Sequence, residues 1–260
     1  MTTTTRATTT TTTTTMNRFC RYELRTTDLD AARAFYADIL GPDFWGGELS
    51  LSPLPAHTIA LGARPHWLGH IGVKDIEATA GRFVAQGGQQ RSAPGAPVAV
   101  MRDPFGAIMA LGRDLTIPSR ASVAWHVLHC TDHQRAFASY AALFGWTAKE
   151  LVDQPPELDR HQVFAWDETA RGVGSVANTA RRPEIHPQWQ FFFPVVDLES
   201  ALAQVRARGG LALAPVRTFT GDLAAACDDP QGAAFGLLQA APCRAPGVDG
   251  GRVLVNTRSP

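Results

Sequence analysis

No apolar run in this chain reaches the roughly 20 residues that a membrane-crossing helix needs, so a helical membrane span is excluded. Neither sign of charge dominates. The 24 Lys and Arg residues balance 24 Asp and Glu, which leaves no electrostatic reason to bind nucleic acid or an anionic membrane. Cysteine is scarce. Cys20, Cys130, Cys227 and Cys243 lie far apart and form no C-x-x-C pair. That argues against a zinc or redox motif and against a disulfide framework. Four reduced thiols in a cytoplasmic protein are expected. A phosphate-cradling loop is missing too, because GVGS (Gly172–Ser175) lacks the lysine and the context of one. No G-x-S-x-G nucleophile elbow occurs.

What is present suits two ordinary domains. The chain has 260 residues, 45% of them hydrophobic, enough for each half to bury a core. Residues 1–17 form a threonine-rich leader, expected to be disordered because it cannot bury apolar surface. Met16 closes the threonine run, and translation is expected to start there. Residues 241–260, rich in Pro, Gly and Arg, are expected to form a flexible tail.

Between these ends the chain repeats itself. Asp28–Gly41 (DLDAARAFYADILG) matches Asp132–Gly145 (DHQRAFASYAALFG). Val73–Gly88 matches Val195–Gly210, and Asp103–Gly112 (DPFGAIMALG) matches Asp229–Leu238 (DPQGAAFGLL). The order is the same in both halves, so one domain is expected over 18–116 and another over 121–240, with a boundary near Ile117–Arg120. Inside each half a finer pattern recurs: a strand-like run ends in Asp, and a helix then ends in Gly. Asp28, Asp75, Asp132 and Asp197 are placed as N-caps. Gly41, Gly145 and the pairs Gly87-Gly88 and Gly209-Gly210 can supply the left-handed residue that ends a helix. The D-P-x-G segments carry turn chemistry. From Gly41 to Pro65 there are 24 residues, against 42 from Gly145 to Pro187. The first unit is therefore short, with a strand missing or its meander cut down, and its pocket is expected to be more open.

This organisation resembles the vicinal oxygen chelate superfamily, which includes glyoxalase I, extradiol dioxygenases, fosfomycin-modifying enzymes and bleomycin-binding proteins. The motifs that carry the likeness are ELRTTDLDAARAFYADILG, the twice-seen V-x-D-x-x-x-A…G-G, and D-P-x-G followed by a strand. They span about residues 18–240. Pro65–Asp75 (PHWLGHIGVKD) and Pro187–Asp197 (PQWQFFFPVVD) look like the tandem glyoxalase-like branch. The resemblance implies an α+β fold: four βαβββ units paired into two glyoxalase/bleomycin-resistance-type domains.

The resemblance also implies where a metal would sit. Counted from the capping aspartates and the D-P pairs, those positions are Arg21, Leu68 and Ala110 in the first half, and Trp125, Gln190 and Gly236 in the second. None is His, Glu, Asp or Cys, so neither a metal nor another cofactor is expected. A register off by one or two would bring in His66, His70, His126 or His129. Metal-dependent lyase or dioxygenase chemistry would then return.

Strand alternation fills the two hollows with other groups. Arg21, Glu23 and Arg25 share one face, with His70 opposite. This set could grip a small anion, with Glu23 or His70 as general base; equally, it could be a solvated strand face. Trp125, Val127, His129, Gln190 and Phe192 share the other hollow, which suits a flat organic ligand unless the side chains simply fill it. Trp67 and Trp189 face away and are expected to pack. The expected protein is a glyoxalase-like family member, metal-independent, monomeric or homodimeric, that acts on or binds a small organic molecule. A bleomycin-resistance-type binding protein without catalysis is the alternative.

Overall fold

The structure is a computed structural model and describes residues 16–113, 122–154 and 159–242. The leader up to residue 15, the expected boundary at Ile117–Arg120 and the tail from residue 243 lie outside the described residues. Met16 and Asn17 lie inside them. Met16 bridges to Gly72, and the Asn17 carbonyl accepts the Trp146 indole N–H at 2.6 Å.

The first half runs β1 (Phe19–Thr26), α1 (Leu29–Leu40), β2 (Leu49–Pro53), α2 (Ala56–Ala60), β3 (His66–Val73), α3 (Ile76–Ala85), β4 (Gln89–Gln90), β5 (Ala99–Arg102) and β6 (Ile108–Arg113). These strands form one sheet, ordered β2-β1-β3-β6-β5-β4. The second half runs β7 (Trp125–His129), α4 (His133–Phe144), β8 (Thr147–Gln154), β9 (Asp159–Ala165), β10 (Gly174–Ala177), β11 (Gln188–Pro194), α5 (Leu198–Ala207), β12 (Leu211–Ala212), β13 (Val216–Arg217), β14 (Leu223–Asp228) and β15 (Ala234–Gln239). Its sheet is ordered β12-β14-β15-β11-β7-β10-β9-β8, with β13 also on β14. Among the described residues no helix is long and apolar enough to cross a membrane.

The local rules hold. Asp28, Asp75, Asp132 and Asp197 each accept the backbone N–H three residues on, at 3.0, 2.9, 3.1 and 3.0 Å. Gly145 ends α4 in the left-handed conformation at φ 74°. In the D-P-x-G turns, Asp103 Oδ1 accepts from Phe105 and Ala107, and Asp229 Oδ1 accepts from Gln231 and Ala233.

The four units are present, and the first is short, as its sequence length requires. The first keeps β1, α1 and a single further strand, β2, followed by the short α2. β2 runs parallel to β1 as β10 runs parallel to β7, so β2 corresponds to the last strand of a unit. The counterparts of β8 and β9 are missing. The 18-residue deficit accounts for this, because two strands and their turn need about that many residues.

The halves share one core. α1 lies against α5, and α3 against α4. Each half also clasps the other's D-P-x-G turn. Tyr36 on α1 donates to Asp229 (3.3 Å) and accepts from Trp67 (2.9 Å). In the mirror arrangement Tyr140 on α4 donates to Asp103 (3.1 Å) and accepts from Trp189 (3.0 Å). Trp67 and Trp189 are thus buried packing residues, as alternation requires. His126 is buried at the same seam. Its Nδ1 meets the Val173 carbonyl at 2.7 Å, which makes it an N–H donor there and leaves Nε2 to accept from Tyr22 at 2.7 Å.

Candidate functional site

The concave face of the second sheet carries a cavity of about 580 Å³. β7 and β11 form its floor. The register pairs Val127 with Gln190 and Trp125 with Phe192, and the even spacing turns Trp125, Val127, His129, Gln190 and Phe192 to one side. All five expected residues line the cavity. The segment from Leu213 to Asp222 forms the opposite wall and brings Phe219 edge-on to Trp125, with ring centroids 5.9 Å apart. Aromatic and aliphatic surface dominates, as in sites for small organic molecules.

The polar groups in this cavity are held in fixed directions. Gln190 Nε2 donates to the Phe235 carbonyl at 2.8 Å, which leaves Gln190 Oε1 to accept from His129 Nε2, also at 2.8 Å. His129 Nδ1 then accepts from the Thr179 hydroxyl at 2.6 Å. A second pair lies on β9 and β10, where His161 Nδ1 meets Ser175 Oγ at 3.1 Å. Burial pushes His161 down to about 4, helped by its neighbours His129, His133 and Arg182. His161, Ser175, Thr179 and Phe219 were missed in the sequence. They sit in runs without a motif, and only strand pairing and the folding-over of the 213–222 segment bring them here.

The first hollow differs. Arg21 pairs with His70 across β1 and β3. Both line a cavity of about 500 Å³ with Arg113, Pro97 and Gly112. Glu23 and Arg25 lie on the same strand face but do not line that cavity. Instead Glu23 accepts from Ser52 at 2.5 Å and meets His70 Nε2 at 3.0 Å, with Arg25 at 3.4 Å. Burial alone would raise the Glu23 carboxyl. The hydrogen bonds from His70 and Ser52 and the Arg25 charge outweigh it and hold the group at about 2. His66 pairs with Arg25 on the same face, and burial lowers its imidazole. Arg113 and Ser52 were not anticipated.

A family-type metal does not fit these hollows. Among the described residues no group of three or more His, Cys, Asp or Glu is placed to hold an ion. In the first hollow Glu23 contacts His70, and among the described residues no third donor joins them, where a divalent ion needs three or four. In the second, the position on β15 is Gly236, and a Cβ there would come within 2.2 Å of the Phe192 ring. The ring occupies the space a ligating side chain would need.

The paired strand–helix–meander units and their concave faces define the fold of the vicinal oxygen chelate proteins. Residues 122–237 match the model of the Glyoxalase/Bleomycin resistance protein/Dioxygenase superfamily. It is 25% identical over 250 residues to a Mycobacterium bovis protein named "Putative glyoxylase CFP32", covering 85% of this chain and 94% of that one. The Mn(II)-bound glyoxalase from Novosphingobium aromaticivorans has a similar fold, with TM-score 0.57 and 14% identity over 87% of this chain and 83% of that one. So does the 2,3-dioxygenase LapB from Pseudomonas sp. KL28, with TM-score 0.55 and 12% identity over 88% and 94%. At such identities these two structures speak for the fold alone.

Proposed function

We propose that this protein binds a small aromatic molecule in the hollow of its second sheet, by packing and hydrogen bonding without a metal. The observation that carries this reading is the cavity of about 580 Å³ between Trp125, Phe192 and Phe219, with the oriented His129–Gln190 pair in its floor. The buried thiols Cys130 and Cys227 support a cytoplasmic setting. The test is a thermal-shift and tryptophan-fluorescence screen with aromatic metabolites, thiol adducts, and zinc, manganese or iron salts. An aromatic compound should raise the melting temperature, and Trp125→Ala should abolish the shift. A stoichiometric metal requirement for binding would overturn the reading.

A second reading, favoured by the Glu23–His70 contact at 3.0 Å, makes the first hollow a site for acid–base chemistry on an anion. Glu23, held ionised to about pH 2, is too weak a base at neutral pH. Here it orients His70, which serves as the base, and Arg21 and Arg113 attract the anion. His70, Ser52 and Arg25 together hold Glu23 in its charged state. In this reading Glu23→Gln changes the pH profile of turnover, whereas a merely structural loss lowers it equally at every pH.

A further inference from the structure

We infer that His161 is the polar anchor of the second cavity and that the molecule held there is an aromatic carboxylate, its ring against Trp125 and a carboxylate oxygen on His161 Nε2. This rests on the second cavity being the binding site. The argument begins with hydrogen-bond accounting, since a buried polar group without a partner costs free energy that a ligand can recover. His129 and Thr179 satisfy each other, and Gln190 spans His129 and the Phe235 carbonyl. On the facing wall Thr220 bridges Thr218 and Asp222, and Asp222 holds the Ala241 N–H at 2.8 Å. Ser175 Oγ accepts the Trp125 indole N–H at 3.4 Å, which leaves its hydroxyl hydrogen for His161 Nδ1. That bond puts the imidazole proton on Nε2, which makes no hydrogen bond within the described residues. The cavity thus offers a ligand an open imidazole N–H in a largely apolar wall, with the Arg182 guanidinium beside it in the lining.

Charge selects among acceptors. The groups facing His161 are His129 from β7, His133 from α4 and Arg182 beyond the Asn178–Arg181 turn; all three lower its proton affinity, and Arg182 does so as a fixed positive charge. Asp222, on the far wall, is already engaged. A carboxylate oxygen therefore gains more here than a neutral carbonyl. It also supplies the negative charge that lets His161 take up a proton, converting the contact to a charge-assisted one.

The probes are 1-naphthoate and its neutral isostere 1-naphthamide, titrated into the full chain by calorimetry in two buffers of different ionisation enthalpy. At about pH 6 the acid should bind about tenfold more tightly than the amide and with proton uptake, while the amide binds without it. His161→Leu should erase the acid's advantage and leave the amide's affinity unchanged. His161→Gln, which keeps an N–H donor but cannot titrate, should retain part of the advantage and lose the proton uptake. Melting curves confirm that both variants fold. Equal binding of acid and amide, or a preference for the acid that survives His161→Leu, overturns the anchor but not the cavity. If neither probe binds, or Trp125→Ala leaves both affinities unchanged, the cavity reading fails too.

Discussion

The two halves carry the same strand register and opposite hollows. In the first, β1 and β3 bring Glu23 to His70, and Ser52 and Arg25 close a compact polar knot around the carboxylate. In the second, the equivalent strands present Trp125, Val127, Gln190 and Phe192, and the knot is replaced by an open apolar cavity. Two strands account for much of the contrast. β9 contributes His161 to the second hollow, and the truncated first unit has no counterpart of β9. A duplicated fold can therefore diverge in chemistry by losing walls as well as by exchanging side chains, and the Glu23 network stands in the half that lost them.

The largest expected effects test what the halves have in common. Asp229→Ala and Asp103→Ala should each destabilise the protein by about 3 kcal/mol, because each removes two acceptor bonds in a turn and strands the partner half's tyrosine. Urea unfolding that gives both variants similar losses, in a single transition, supports the mutual clasp. A large loss for one and none for the other would break the symmetry.

The seam between the halves should also titrate. His126 is fully buried, and burial lowers its imidazole from 6.5 to about 4. The unfolded chain then binds a proton that the folded chain refuses. Stability should be intact above pH 6.5 and fall by about 3 kcal/mol as the pH drops towards 4. An NMR titration that finds the His126 ring charged at pH 6 would contradict this.

Smaller effects separate the halves. Gly236→Ala should cost about 2 kcal/mol and weaken ligand binding, since the new methyl drives the Phe192 ring into the cavity. The corresponding change in the first half, Ala110→Gly, should cost about 1 kcal/mol through backbone freedom. A crystal structure of Gly236→Ala with Phe192 unmoved would refute the first of these. Smallest of all, Glu23→Gln should cost about 1 kcal/mol at neutral pH. Because the folded-state value is depressed, that contribution is complete above 4.5 and disappears as the pH falls towards about 2. Chemical denaturation of both forms across that window should show the two curves converge.

Much of this was legible from short-range rules. The capping aspartates, the glycine stops and the D-P-x-G turns depend on residues within a few positions of one another, and each formed where its motif stands. Period-two alternation placed Arg21, Glu23 and Arg25 on one face and sent Trp67, His126 and Trp189 to the other. What those rules missed were partners supplied across the fold. Nothing near Tyr36 or Tyr140 signals that each hydroxyl would reach a turn in the opposite half. Nor does the run around His161 mark a residue of the second cavity.

The sequence alone thus determined the duplication, the helix limits and the inward-facing set of each strand, because backbone sterics and local hydrogen bonds act over a few residues. Tertiary structure decided what space each of those sets encloses. A cavity exists only where distant strands and the 213–222 segment wall it in, and the volume left between Phe192 and the glycine at 236 is a property of packing that no spacing in the chain records.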